Sequence, residues 1–140
     1  MKAICNGRFI LPQEIREGQA LLFQEKILGF CSPDRIPPEA ERIDVQGDYV
    51  SPGFLNLHIH GCGGKDVMDG TQEALRTMSR LLPSTGVTGW LPTTMTSGRG
   101  AITQALTAIR GAQGTVAGAE ILGANLEGPF ISEKYKGAQK

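Results

Sequence analysis

The chain has no excess of either charge and no long apolar run. Lys and Arg together number 14, as do Asp and Glu. This balance gives no positive field of the kind that attracts nucleic acid, so no nucleic-acid partner is expected. The apolar runs fall short of the roughly 18 residues that a membrane-spanning helix requires. No apolar signal segment follows Met1-Lys2, so no membrane association is expected either.

Cysteine is scarce as well. The chain has three, at positions 5, 31 and 62, and none of them forms a C-x-x-C pair. An odd number without such spacing favours free thiols over a disulfide framework, and therefore a cytoplasmic location. Cys62 follows a histidine by two positions, where a thiolate ligand is an alternative to the small loop residue that usually occupies such a place.

The most informative segment that is present reads SPGFLNLHIHGCGG, at residues 51–64. It is an apolar strand that ends in two histidines and opens into glycines. Side chains two positions apart on a strand point to the same side, so His58 and His60 can present both imidazoles to one ion. Imidazole binds zinc, iron, cobalt and nickel, and the sequence does not choose among these metals. The alternative is that two histidines simply lie near a turn.

A second apolar run, ILGANLEGPFI at residues 121–131, contains a single carboxylate. Gly128-Pro129 follows that carboxylate and stops a strand predicted over residues 121–126, so Glu127 is expected at the strand end. The alternative is a solvated glutamate at a turn. Residues 87–94 form a third strand-like run, rich in β-branched and aromatic residues and closed by threonines.

The two segments between these strands have helical spacing. Apolar residues recur every three or four positions, after Asp69 or Thr71 as N-cap in the first segment and Ser97 in the second. These apolar residues are Ala74, Leu75, Met78, Leu81 and Leu82, and then Ile102, Ala105, Leu106 and Ile109. The resulting order β-α-β-α-β predicts right-handed crossovers that feed a parallel sheet.

The carboxyl ends of these strands are the expected place for a site. Ligands of parallel sheets bind beyond that edge, and in a (β/α)8 barrel all catalytic residues gather there. His58, His60 and Glu127 each close a strand, so we expect them to converge. Two imidazoles and a carboxylate are a recognisable ligand set for a hydrolytic divalent metal. The sequence therefore predicts a metal site formed by these three side chains.

The first fifty residues or so consist of short apolar segments separated by turns. Asn6-Gly7 is a two-residue hairpin signal, and Gln24-Glu25-Lys26 indicates another reversal. Residues 32–41 contain three prolines and are expected to form a loop. This part predicts a small antiparallel sheet, and the domain boundary is expected near Ser51-Pro52.

Several blocks of the sequence resemble one known family. They follow one another through essentially the whole chain, as NGRFI, GDYVSPGFLNLHIHGCGGKDVMDG, TGVTGWLPTTMTS and GANLEGPFISEKYKGAQK. The PGF-x-x-x-H-x-H part is shared among amidohydrolases such as dihydroorotases and allantoinases, whereas LPTT-x-TS and LEGPFI followed by KGA are more specific. On these blocks the chain resembles the N-terminal part of the N-acetylglucosamine-6-phosphate deacetylases, which are amidohydrolases.

The resemblance implies an α/β fold. Residues 1–51 would supply antiparallel strands of a small β-sandwich, and residues 52–140 the first three β/α units of a TIM-type (β/α)8 barrel, incomplete in this chain. The implied activity is metal-dependent hydrolysis of N-acetylglucosamine-6-phosphate to glucosamine-6-phosphate and acetate. By the same resemblance Glu127 is the principal metal ligand, and His58 and His60 bind a second metal in members that keep both.

The loop that ends the chain is the part that the resemblance places against the sugar, with Ala138 and Gln139 as substrate-binding residues. Two positions depart from the family's pattern. Asn56 stands where the family often has Asp, and Gln139 stands where it usually has His. An amide can hydrogen-bond a sugar hydroxyl but cannot carry a positive charge, so Gln139 changes what this loop offers to the substrate.

A complete (β/α)8 barrel takes roughly 250 residues, and the resemblance places the general base on strands beyond Lys140. The sequence therefore predicts a fragment without a catalytic residue of its own, whose uncovered apolar face favours a homo-oligomer. Two alternatives stay open. One is a non-catalytic metal-binding or assembly module, and the other is an amidohydrolase of the dihydroorotase or allantoinase type.

Overall fold

The computed structural model describes residues 1–139 and shows a mixed α/β chain. It divides into two compact units, Met1–Pro52 and Gly53–Lys140. The strands are β1 (Lys2–Cys5), β2 (Arg8–Ile10), β3 (Ile15–Arg16), β4 (Ala20–Phe23), β5 (Ile27–Cys31), β6 (Glu41–Asp44), β7 (Tyr49–Val50), β8 (Phe54–Ile59), β9 (Gly61–Cys62), β10 (Lys65–Asp66), β11 (Val87–Pro92) and β12 (Glu120–Ile121), and the α-helices are α1 (Gln72–Leu81) and α2 (Arg99–Ala112). Neither helix of the described part combines the length and apolarity needed to cross a membrane.

The first unit contains two small sheets, ordered β5-β4-β1-β6 and β3-β2-β7. β4 pairs antiparallel with β1 and with β5, but β1–β6 and β2–β7 are parallel pairs. The prediction of purely antiparallel strands is therefore wrong for these two pairs. The physical reason for the first is the connection before β6, because residues 32–40 carry the chain back across the sheet so that β6 runs alongside β1 in the same direction.

The turn at Asn6-Gly7 does not close the predicted hairpin. Asn6 has the positive φ, 56°, that such a turn requires, yet β1 and β2 belong to different sheets. The Asn6 carbonyl instead accepts a hydrogen bond from the N–H of Gly47 at 2.7 Å. The local preference of Asn6-Gly7 thus explains the positive φ of Asn6, whereas the hydrogen-bond partner of its carbonyl comes from residues far along the chain. The reversal at residues 24–26 does join an antiparallel pair, β4 and β5, as predicted.

The core of the first unit is small. It is formed by Ala3, Ala20, Ile36 and Ala40, and the three alanines remove little apolar surface from water. Phe9 of β2 meets Phe30 of β5 edge to face with the ring centroids 5.1 Å apart, and this contact joins the two sheets.

The second unit is built on a parallel sheet ordered β12-β11-β8. Together with α1 and α2 it gives the predicted order β-α-β-α-β. The N-cap of α1 is Thr71, one of the two predicted residues, and its hydroxyl accepts a hydrogen bond from the N–H of Ala74 at 3.2 Å. α2 begins after Gly98 and not after Ser97, and no side chain among residues 1–139 caps it.

The third strand of this sheet is shorter than predicted. The sequence predicts a strand over residues 121–126, whereas β12 covers only Glu120–Ile121. Beyond it, one isolated parallel bridge joins Asn125 to Thr93. The segment before Glu127 therefore stays beside β11 without forming a continuous ladder.

A proline in the neighbouring strand explains the interruption. The N–H of Leu122 donates to the Trp90 carbonyl at 3.0 Å. A parallel ladder then needs an N–H two positions beyond Trp90 to donate back to Leu122. That position is Pro92, which has no N–H, so the ladder stops there.

The core of the second unit lies between the sheet and the helices. Trp90, Leu75 and Met78 are at most 1% exposed, and the Trp90 Nε1–H donates to Ser79 Oγ at 3.1 Å. Adjacent side chains on a strand alternate between faces, so Gly89 faces away from this core. The other face is open, because Leu55 and Leu122 remain 61% and 43% exposed.

Candidate metal centre

The candidate site lies where β8 ends and the chain enters glycines. His58 is the penultimate residue of β8, and His60 directly follows the strand. The stretch Asn56–Ile59 of β8 pairs with the shorter stretch Trp90–Pro92 of β11, so β8 carries one residue more. Such a bulge bends a strand and re-aims the side chains near its end.

The side chain of Asn56 supports the bulge. Its Oδ1 accepts a hydrogen bond from the backbone N–H of His58 at 3.1 Å. Asp, which the family in question often has here, would offer the same acceptor. The departure at position 56 therefore leaves this contact with the His58 backbone intact.

The structure brings His58, His60 and Glu127 together. Oε2 of Glu127 lies 2.8 Å from Nε2 of His58 and 3.2 Å from Nε2 of His60. The two Nε2 atoms are 3.2 Å apart, and the three candidate ligand atoms all lie within 4.8 Å of one another. The predicted convergence is thus present, and its geometry suits a group that could hold one metal ion.

A hydrogen bond selects the ring nitrogen of His60 that faces this centre. Its Nδ1 lies 3.1 Å from the carbonyl oxygen of Thr93. A carbonyl can only accept, so Nδ1 carries a hydrogen, and in the neutral ring Nε2 then keeps its lone pair. This is the tautomer that a metal-binding histidine needs, with its other nitrogen donating to a backbone carbonyl.

The carboxylate at the centre provides a test of whether a metal fits. Oε2 of Glu127 is buried and faces two imidazole nitrogens within 3.2 Å. Where these nitrogens carry no hydrogen, three lone pairs meet at this distance, and leaving a buried acceptor without a donor is costly. A divalent cation satisfies all these lone pairs at once, so the residues fit a metal.

Thr93 connects the elements that carry the site. Its Oγ1 accepts from the N–H of Ile59 at 3.0 Å and from Nδ2 of Asn125 at 3.3 Å. The next residue, Thr94, accepts from the N–H of Glu127 at 3.2 Å. Both threonines are fully buried. Sequence reasoning assigned them no role, although the threonine cluster that closes β11 was a visible signal of polar contacts at this strand end.

The remaining candidate residues lie apart or play a different part. Cys62 is outside the converging group and packs against the core, where burial raises the pKa of its thiol above the usual value. A thiolate ligand at Cys62 is therefore not supported. Ala138 is exposed, whereas the side chain of Gln139 donates through Nε2 to Oε1 of Glu127.

The two histidines differ in their access to solvent. The side chain of His58 is 58% exposed, and those of His60 and Glu127 are each 31% exposed. The centre therefore opens toward solvent on the side of His58.

No protein-family model matches the chain, but similar proteins exist. The N-acetylglucosamine-6-phosphate deacetylase of Bacillus subtilis (strain 168) is 43% identical over 107 residues, which are 73% of this chain and 27% of that protein. The N-acetylgalactosamine-6-phosphate deacetylase of Escherichia coli O157:H7 is 37% identical over 140 residues, which are 99% of this chain and 36% of that protein.

A solved structure similar to this chain has the same enzyme name as the Bacillus subtilis relative. The crystal structure of N-acetylglucosamine-6-phosphate deacetylase from Pasteurella multocida superposes with a TM-score of 0.85 at 28% sequence identity, covering 99% of this chain and 37% of that one. The chain spans only about a third of the length of the proteins it matches. It is therefore a homologue of the N-acetylglucosamine-6-phosphate deacetylases over that third of their length.

Proposed function

We propose that this chain is part of a metal-dependent hydrolase that removes the acetyl group from N-acetylglucosamine-6-phosphate, giving glucosamine-6-phosphate and acetate. The observation that carries the proposal is the convergence of Oε2 of Glu127 with the Nε2 atoms of His58 and His60. The relatives' names supply the substrate and the reaction.

The three converging side chains, His58, His60 and Glu127, would hold a divalent metal, with zinc, iron, cobalt and nickel all compatible. When bound, such an ion polarises an acyl carbonyl and lowers the pKa of a water molecule. The protein's own part is to fix the ligands, through the Thr93 carbonyl on His60 and the Thr94 hydroxyl on the backbone of Glu127.

The general base is proposed to come from outside this chain. Its two histidines, His58 and His60, are both committed to the centre. A base must accept a proton from water and an acid must return one to the leaving amine. We expect the chain alone to release no acetate above background from N-acetylglucosamine-6-phosphate, even with zinc or iron added.

The domain assignment is part of the same proposal. The unit Met1–Pro52 is proposed as a portion of a small β-sandwich, and the following residues as the first β/α units of a (β/α)8 barrel. The parallel sheet with helices on one face and exposed leucines on the other supports the second assignment. Free thiols at Cys5, Cys31 and Cys62 support a cytoplasmic location.

A chimera tests the activity. In it, the chain replaces the matching segment of the Pasteurella multocida deacetylase. We expect metal-dependent acetate release that Glu127→Ala abolishes and that Glu133→Ala, at an exposed glutamate outside the centre, leaves unchanged. A folded, metal-loaded chimera without acetate release would contradict the proposal and would leave a non-catalytic metal-binding module.

A second candidate substrate is the galactose epimer. The Escherichia coli relative that aligns over 99% of the chain is named N-acetylgalactosamine-6-phosphate deacetylase. Both sugars carry the same acetamido group and phosphate, so the metal centre serves either one. Acetate release measured side by side on the two sugar phosphates decides between them.

A further inference from the structure

The side chain of Gln139 links the last described loop to the metal centre. Its Oε1 accepts a hydrogen bond from the backbone N–H of Thr96 at 2.9 Å. Its Nε2 donates to Oε1 of Glu127 and lies 3.8 Å from Sδ of Met95. The resemblance placed this residue against the sugar, but the structure places both ends of its amide against the protein.

The orientation of this amide is fixed by chemistry. The N–H of Thr96 can only donate, so the oxygen of the amide must face it. The NH₂ group then faces Glu127, whose carboxylate can only accept. The reversed amide would set oxygen against oxygen at Glu127 and donor against donor at Thr96, and would lose both bonds.

The contact also determines which carboxylate oxygen of Glu127 faces the imidazoles. The terminal torsion of a glutamate is broad and intrinsically weakly restrained. Gln139 engages Oε1, and this leaves Oε2 directed toward His58 and His60. We infer that Gln139 is a positioning residue that holds Glu127 with a single oxygen presented to the metal, an inference that rests on the proposed metal-dependent function.

This role separates two residues that the resemblance treated alike. Both polar groups of the Gln139 amide are engaged within the protein, whereas Ala138 is exposed. Positioning of the carboxylate therefore belongs to Gln139, and the contact with a sugar remains a prediction for the backbone of Ala138.

Cobalt binding to the purified chain tests the inference. Visible absorption of Co²⁺, with a chromophoric chelator as competitor, gives the affinity of the unchanged chain and of each variant. Gln139→Leu removes the amide at similar size and is expected to weaken Co²⁺ binding about 10- to 100-fold, the range found when partners of metal ligands are removed. Gln113→Leu, the same exchange at an exposed position after α2, should leave the affinity unchanged.

A double-mutant cycle distinguishes positioning from a general structural role. If Gln139 acts through Glu127, then Gln139→Leu should have no further effect in the Glu127→Gln background. Circular dichroism of every variant checks that its secondary structure matches that of the unchanged chain. An equal loss in both backgrounds, or an affinity of Gln139→Leu within twofold of the unchanged chain, would overturn the inference.

Failure of the proposed function would look different. If the unchanged chain does not bind Co²⁺, or if Glu127→Gln binds it as tightly as the unchanged chain, the metal centre itself is wrong. If Gln139→Leu instead keeps its Co²⁺ affinity and loses binding of N-acetylglucosamine-6-phosphate, Gln139 contacts the sugar and does not position the carboxylate.

Discussion

At the scale of single residues, the centre depends on hydrogen bonds made by the atoms that face away from it. The Thr93 carbonyl accepts a hydrogen bond from Nδ1–H of His60, and Nε2 of Gln139 donates one to Oε1 of Glu127. In each case the protein fixes one end of the side chain and thereby directs the other end toward the shared space. Substitutions around the ligands should therefore change metal affinity even though they remove no ligand.

Gly128, which follows Glu127, provides a prediction at this scale. Its φ is 73°, and a Cβ here would lie 2.2 Å from Oγ1 of Thr96. We expect Gly128→Ala to lower the free energy of unfolding by about 1–3 kcal/mol and to weaken metal binding, because the backbone that carries Glu127 must shift.

Gly100 is the matched control for that experiment. It lies in α2 and has no positive φ, and a Cβ at this position would meet no described residue outside its own helical turns within 4 Å. Gly100→Ala should raise the free energy of unfolding by about 0.5–1 kcal/mol. Urea unfolding monitored by circular dichroism measures both variants, and equal stabilities would show that Gly128 has room for a side chain.

At the scale of elements, the N-cap of α1 provides a second prediction. Thr71 Oγ1 accepts from the N–H of Ala74 at the start of the helix. Thr71→Ala should lower the free energy of unfolding by about 1 kcal/mol. Thr103→Ala, at an exposed position inside α2, should not lower it, because alanine is the better helix former. Thermal unfolding of the two variants makes the comparison, and an equal loss of stability would contradict the capping role.

The elements of the second unit could be predicted because local signals and tertiary packing agree there. The apolar stripe that includes Leu75 and Met78 became the buried face of α1. The convergence of His58, His60 and Glu127 was predictable because β8 and the segment that follows β12 both run parallel to β11, so they reach the same edge of the sheet. Their assignment as metal ligands remains a proposal.

The features that the sequence did not predict depend on partners distant along the chain. The Asn6-Gly7 turn has the expected backbone, but its hydrogen bonds go to residues beyond β6. β12 is short because Pro92 interrupts the ladder from the neighbouring strand. The sequence of residues 121–126 alone contains no sign of this interruption. Gln139 was predicted as a substrate-binding residue, but its contact with Glu127, twelve positions earlier in the chain, was not predicted.

At the scale of the whole molecule, exposed leucines dominate the expected behaviour in solution. Leu55, Leu57 and Leu126 are 61%, 60% and 51% exposed. Apolar area in water is unfavourable by about 25 cal/mol per Å², and sheets of parallel strands are normally covered on both faces. Self-association covers such area, which is consistent with the expected homo-oligomer.

Light scattering tests this expectation. We predict that the chain self-associates at micromolar concentration, and that replacing both Leu55 and Leu57 with glutamate reduces the associated fraction at unchanged secondary structure. Circular dichroism provides that check. A monomer at all concentrations that unfolds in one sharp thermal transition would show that the chain closes its own core.

The path of the chain between the three candidate ligands would give a bound metal a further consequence. The histidines belong to the end of β8 and Glu127 follows β12, so both α-helices lie in the segment between them. An ion held at both ends would act as a removable clasp that closes a long loop, and it would favour the folded chain by mass action because the unfolded chain lacks the site. Amide hydrogens of α1 and α2 should then exchange with solvent more slowly in the metal-bound chain. Removing the metal with a chelator should therefore raise the exchange rates in both helices, although neither helix contacts the ion.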